Sequence, residues 1–314
     1  MTQETAGAAP VPSAGASVLA DVAKPTVGRS LWVDALRRLA RNRLAVLGAA
    51  IILAITLAAT FAPLLAPYSY AKVFSGQIIA DPSRSHLFGT NLSGQDTFSR
   101  VIYGARNSLA VGIFVQFIIL AIGVSIGGAA ALGGKRADAL LMRLTDVVYA
   151  FPDLLFVIML QQVLSGTAIA NYVGGLFVVF LAIGLVGWVN LARLVRGQML
   201  SLREQDFVVA AEALGATRLR IFLRHLLPNT LGPVIVSLTF GVPSAIFTEA
   251  TLSFIGIGIR PPLADWGNMI YDGYGAVLAT PWPIFFPASA LAITFLSFQF
   301  LGDGLRDALD PRTR

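Results

Sequence analysis

Few residues in this sequence could do covalent chemistry. It has no cysteine and only two histidines, His86 and His225. Without thiols there is no disulfide, no thiolate nucleophile and no cysteine-based metal site. The histidines stand far apart and in no ligand-spaced group, so no metal site is expected. A phosphate-cradling loop needs G-x-x-x-x-G-K-[ST], whose glycine amides hold phosphate and whose hydroxyl binds magnesium. Gly134-Lys135 comes nearest and fails twice: Arg136 follows where the hydroxyl is needed, and Ala129 stands at the first glycine position. No Ser/His/Asp arrangement is evident either. The chain is expected to be no enzyme on its own and to carry no cofactor.

What remains are acids in apolar surroundings. Asp146 and Asp153 flank Phe151-Pro152 in one apolar block, and Glu249 lies near the end of another. A carboxylate at the bilayer centre costs about 2.5–3.5 kcal/mol on insertion scales, so it faces protein or water. Two readings stay open for each. Asp146 and Asp153 line a substrate path, or Asp146 pairs with Arg143 while Asp153 satisfies a neighbouring helix. Glu249 is a gate or external-partner contact, or half of a buried ion pair. Pro152 predicts a kink, and Gly123 and Gly127 have the GxxxG spacing that lets helices approach closely.

The elements that must position these residues are membrane helices. Of 314 residues, 56% are hydrophobic and 13% charged, against about 25% charged in a soluble domain. Mean hydropathy is +0.73. The apolar residues fall in long blocks, not alternating strands, so the spans are helices, which satisfy their own backbone in lipid. The blocks run roughly 44–66, 108–133, 140–165, 172–192, 229–255 and 283–302, each near the 20 or so residues a span needs. Residues 1–29, rich in Ala, Pro, Ser and Gly, read as a disordered tail. Residues 30–43 set Trp32, Leu36 and Leu39 at helical spacing among Arg37, Arg38, Arg41 and Arg43, which predicts an amphipathic helix lying in the interface. With the N-terminus inside, every Lys and Arg except Lys72, Arg84, Arg100, Arg106 and Arg260 falls on the cytoplasmic side. The prediction is six spans with both termini cytoplasmic. The net charge of +6 then reflects membrane orientation, not nucleic-acid binding.

The longest of these cytoplasmic loops, 193–228, has the pattern of a helix–turn–helix. Glu204 to Leu214 is helix-forming, with Ala210 and Ala211 at its centre. Gly215 sits where a helix C-terminus favours positive φ, and Thr217 can cap a second helix carrying Arg218, Arg220 and Arg224. Pro228 marks the passage of that short helix into the fifth span. The result is a knob with a small-residue patch and a basic flank, suited to a cleft on a cytoplasmic partner.

Ala210, Ala211, Gly215, Leu227 and Pro228 resemble, in type and spacing, the EAA loop of binding-protein-dependent ABC importer permeases. Val209 stands where that family carries glutamate. Three further segments are similar to its dipeptide/oligopeptide/nickel branch. His86…Gly89-Thr90-Asn91…Gly94-Gln95-Asp96…Ser99-Arg100 has Asn91 and Gln95 where the branch has Asp and Arg. The others are Leu252-Ser253-Phe254-Ile255-Gly256-Ile257-Gly258…Pro261-Pro262…Trp266-Gly267, and Leu301-Gly302-Asp303-Gly304-Leu305-Arg306-Asp307 with Asp310-Pro311. The resemblance implies an all-α, type I importer permease of the bacterial inner membrane that works with four kinds of partner. These are a second homologous permease, two cytoplasmic ATPase subunits holding ATP and magnesium, an external substrate-binding protein, and the lipid bilayer. It also implies that Ala210, Ala211, Gly215, Arg218, Arg224 and Pro228 couple ATPase closure to the spans, and that the cargo is di- or oligopeptides. The competing readings are a secondary transporter, which would need paired discontinuous helices with midplane polar sites, and a membrane scaffold without transport activity.

Overall fold

The computed structural model describes residues 31–168 and 175–310, and these are all-helical. The expected tail, and the basic residues Lys24, Arg29, Arg312 and Arg314, lie outside the described residues. In chain order the helices are α1 (Leu31–Arg41), α2 (Arg43–Thr60), α3 (Ala62–Leu65), α4 (Thr97–Leu132), α5 (Gly134–Tyr149) and α6 (Asp153–Ser165). They continue with α7 (Leu176–Arg203), α8 (Asp206–Ala213), α9 (Arg218–Ile221), α10 (Leu227–Phe254), α11 (Trp266–Tyr274) and α12 (Trp282–Leu309). Five stretches are long and apolar enough to cross a membrane: α2, α4, α7, α12, and the continuous run from α9 through α10. The pair α5 and α6 makes a sixth if its two arms count as one span.

Several boundaries differ from the apolar blocks, each for a physical reason. α4 starts at Thr97 and not at 108, because Asp96 accepts from the Ser99 amide at 2.8 Å as its N-cap. The charge of Arg100, which reads as polar loop in sequence, is buried against protein. α7 continues past 192 to Arg203, whose guanidinium donates to the Ala131 carbonyl at 2.6 Å. The third block is no straight span: α5 and α6 meet at 87°, with Pro152 as N-cap of α6. The fifth span does not begin at Pro228. α9 enters α10 through a π-turn, Phe222–Leu226, in which the Leu227 amide reaches back to the Phe222 carbonyl. Pro228, having no amide proton, stands just after this π-turn, at the start of α10.

The centre of the bundle is α4 packed along α7. Both glycines of the expected close-approach pair serve this contact. A Cβ on Gly123 would come within 2.9 Å of Leu191, and one on Gly127 within 2.5 Å of the Ala192 carbonyl oxygen. α10 closes one side, completing a core of Val111, Val115, Val179, Ala182, Val186, Ala245 and Leu252. α2 and α12 cover the other side, where a Cβ on Gly304 would meet Ala45 at 2.3 Å. Gly127→Ala is therefore expected to destabilise by about 1–3 kcal/mol through overpacking, because a backbone oxygen cannot swing aside. Gly197→Ala is the control: its Cβ would meet nothing within 4 Å. Thermal unfolding in detergent should show a lower Tm for the first and not the second; equal Tm values would count against this packing.

Candidate functional site

At the end of the bundle where α4 and α7 finish and α10 begins, residues 204–226 form the predicted knob. Its turn is built from the backbone. Gly215 has φ +80°; its amide bonds to the Glu212 carbonyl at 2.9 Å, and the Ala216 amide to the Ala211 carbonyl at 3.0 Å. This crossed pair ends α8 in a left-handed residue, where glycine has no steric cost. Thr217 then caps α9, its hydroxyl accepting from the Arg220 amide at 3.4 Å. Ala210, Arg218, Arg224 and Pro228 are exposed and Ala211 is half-buried.

Two features of the knob were not read from sequence. Val208 is fully enclosed and packs with Val195, Met199, Ile221 and Leu226, joining α8 to the bundle. The free surface is also more apolar than a small-residue patch with a basic flank, since Phe207, Val209, Leu214, Leu219 and Leu223 are all exposed. Leu214, 89% exposed, stands beside Gly215 at the tip. Exposed apolar side chains grouped in this way mark an interaction surface.

The three acids are separated. Asp146 pairs with Arg193 at 2.7 Å, not with Arg143, and Arg193 also lies over the Tyr149 ring at 4.3 Å. Arg196 grips Asp138 with two bonds, the second 2.6 Å from Nη2 to Oδ2. These pairs brace α5 against α7. Their signal in sequence is Arg193 and Arg196 three apart, once α7 is extended past 192. Asp153, the first residue of α6, is exposed and makes no ion pair among the described residues. Glu249 is fully buried, and the ion pair that is one of its two readings is not formed among the described residues. Ser108 and Ser253 donate to it at 3.2 and 3.1 Å.

Near the knob, α1, α7, α10 and α12 enclose a cavity of about 950 Å³, and none of the three acids lines it. Its polar lining is half uncharged, with Asn190, Gln198, Asn229 and Ser237, and half charged, with Asp34, Arg38, Arg306 and Asp310. At the opposite end, His86 is buried between Asp96 (2.9 Å) and Gln77 (2.5 Å). Asn91 and Gln95 bond to each other there, Nδ2 to Oε1, at 3.1 Å. They are the two departures from the branch's Asp and Arg, so a neutral amide pair occupies the place of an acid and a base.

The chain as a whole has the fold of a type I ABC importer permease. That fold is shared with the MetNI methionine ABC transporter in an inward-facing conformation, at a TM-score of 0.55 and 19% identity, over 67% of this chain and 96% of that one. Residues 119–314 match the family described as binding-protein-dependent transport system inner membrane component. Residues 30–82 match the N-terminal TM domain of oligopeptide transport permease C. The chain belongs to the binding-protein-dependent transport system inner membrane component family. It is 44% identical over 285 residues to the oligopeptide transport system permease protein OppC of Bacillus subtilis, covering 91% of each chain. It is also 44% identical to the dipeptide transport system permease protein DppC of the same organism, over 90% of this chain and 86% of that one. The glutathione transport system permease protein GsiD of Escherichia coli is 38% identical, over 93% of this chain and 94% of that one.

Proposed function

We propose that this chain is one of two homologous permease subunits of an ATP-driven importer of di- or oligopeptides. The observation that carries the cargo is the 44% identity to oligopeptide and dipeptide permeases along nearly the whole of both chains. The cavity suits it: amide and hydroxyl side chains such as Asn190, Gln198 and Ser237 can bond to any peptide backbone without selecting side chains. Among the three acids we assign only Asp153, exposed at the break between α5 and α6, to the path.

The knob end faces the cytoplasm in this reading, since it collects most of the basic residues. α1 then lies in the cytoplasmic interface, with the exposed Arg37 and Arg41 toward lipid headgroups. Two ATPase subunits, which hold the ATP and magnesium, receive the knob between Ala210 and Pro228. A binding protein delivers cargo to the opposite face. ATPase closure pushes on α8, Val208 passes the push to α7 and α9, and the spans rock between outward and inward access.

Purification of the tagged chain in mild detergent from its native host tests this. A stoichiometric second permease and two ATPase subunits are the expected companions. A monodisperse lone chain that still catalyses uptake in liposomes would overturn it in favour of a secondary transporter.

A further inference from the structure

Two carboxyl groups are buried in the interior at the end of the bundle away from the knob. Glu249 is in the last two turns of α10, and Asp265 is the N-cap of α11; both are 0% exposed. Their hydrogen bonds can be followed atom by atom. Ser108 of α4 donates to Glu249 Oε2 and Ser253 donates to Oε1. The Ser253 oxygen accepts from the Ile259 amide at 3.3 Å, and the Ser108 oxygen from the Trp266 amide at 3.4 Å. Each hydroxyl proton is thus directed to Glu249. Asp265 Oδ1 accepts from the Asn268 amide at 2.8 Å, closing a capping box. Among the described residues, none donates an N–H or O–H to Asp265 Oδ2. Ser108 joins the two sites, since its proton goes to Glu249 and its oxygen accepts from the amide of Trp266, the residue next to Asp265; a Glu249 carboxyl can donate toward Asp265 only when it carries a proton.

Among the described residues no cation is bonded to either acid. From α4, Arg100 faces Asp265, but its guanidinium is directed to the Tyr70 carbonyl at 3.3 Å and to Asp272 of α11 at 4.0 Å. Arg106 of α4, Arg260 of the connection, and Tyr271 and Tyr274 of α11 are exposed. No further Asp, Glu, His or Cys among the described residues joins the two acids to complete a metal-binding group. Two bare carboxylates cannot sit together in a dry enclosure. We infer that Glu249 and Asp265 hold one proton between them, and that this proton latches the end of α10 to α11. The other end of α10 lines the large cavity through Pro233, Val236, Ser237 and Phe240. The latch therefore ties a cavity-lining span to the helix at the far end.

The sign of the pH effect follows. Burial pushes the Asp265 carboxyl up, to about 6, from its ordinary value near 4. A group whose folded value is raised binds more protons in the native state. Its stabilisation is complete below the unfolded value and is lost as pH rises through the folded one. The joint is firmest below about pH 4 and loosens as pH rises through about 6; that step leaves the pair with its one shared proton at neutral pH.

The test uses the whole complex in nanodiscs. Infrared spectroscopy at about pH 7 should show a protonated-carboxyl band that disappears in the Glu249→Gln/Asp265→Asn double variant. The wild-type Tm should fall by several degrees between about pH 4 and pH 7. In Glu249→Gln it should stay level, because the amide donates to Asp265 Oδ2 at every pH. A wild type with no such band, a Glu249→Gln variant that follows the wild-type pH profile, or a wild-type Tm raised by added calcium or sodium would each overturn the proposal. Should Glu249→Gln fail to assemble, Asp265→Asn offers the same amide from the other side, and the wild-type spectrum alone decides whether the proton is there. The outcome does not depend on the cargo.

Discussion

Gly215→Asp is expected to leave the chain in the membrane at normal abundance and to abolish ATP hydrolysis stimulated by the binding protein. Two costs must be separated. The backbone at Gly215 has φ +80°, so any side chain is strained by about 1–2 kcal/mol. Asn and Asp bear that conformation best. Space is not at issue, since a Cβ there would meet nothing within 4 Å. The larger cost is charge. The position lies beside Leu214 on a surface shared with Phe207, Val209, Leu219 and Leu223, and a carboxylate there must be desolvated when the ATPase closes over the knob. Gly215→Asn has nearly the shape of Asp without its charge and should keep most of the stimulation. Gly215→Ala, which bears strain alone, should fall in between. A tenfold loss, about 1.4 kcal/mol, is the least expected of the Asp variant in reconstituted complexes. Wild-type stimulation with Asp at this position would remove the knob from the coupling mechanism.

The turn could be read from sequence because a glycine after a helix-forming run has one common use. Hydropathy likewise finds the spans, but it treats each charge as a boundary. That rule fails wherever protein, not water, solvates the charge. Arg100 lies inside α4, and Arg193, Arg196 and Arg203 lie inside α7, each held by a carboxylate or a carbonyl oxygen. The kink expected at Pro152 proved to be a full break, since two short helices at 87° still sum to one apolar block. α11 sits between two runs rich in Gly and Pro that mask it, although Asp265 and Asn268 at capping-box spacing mark its start. No local pattern could link Glu249 to Asp265 or to Ser108, because their meeting depends on how α4, α10 and α11 pack.

Val208 illustrates the same limit within the knob, and substituting it should have the second large effect. In Phe207-Val208-Val209 three apolar residues in a row carry no period, so sequence does not say which one faces inward. The structure buries Val208 completely and leaves Phe207 and Val209 43% and 53% exposed. Val208 meets Val195 and Met199 of α7, Ile221 of α9, and Leu226. α8 has eight residues, too short to persist on its own, since isolated helices below about 12–15 residues are marginal. Its order therefore depends on this contact. Val208→Asp would bury an unpaired charge at a cost of several kcal/mol, more than so short an element can sustain. The knob should undock while the spans, which do not rely on it, stay folded. Trypsin should then cut at Arg203, Arg218 or Arg220 at least about tenfold faster, as expected when local opening becomes easier by 1.4 kcal/mol or more, and ATPase subunits should no longer copurify. Val208→Ala, which removes roughly 1.5 kcal/mol of apolar burial at about 0.8 kcal/mol per methyl-sized group, should weaken both readouts without abolishing them. Val209→Glu places an acid one residue away on the exposed face and should leave trypsin resistance intact. Equal protease sensitivity in Val208→Asp and Val209→Glu would mean that the knob is not docked through Val208, and the route for ATPase closure into α7 and α9 would have to run elsewhere.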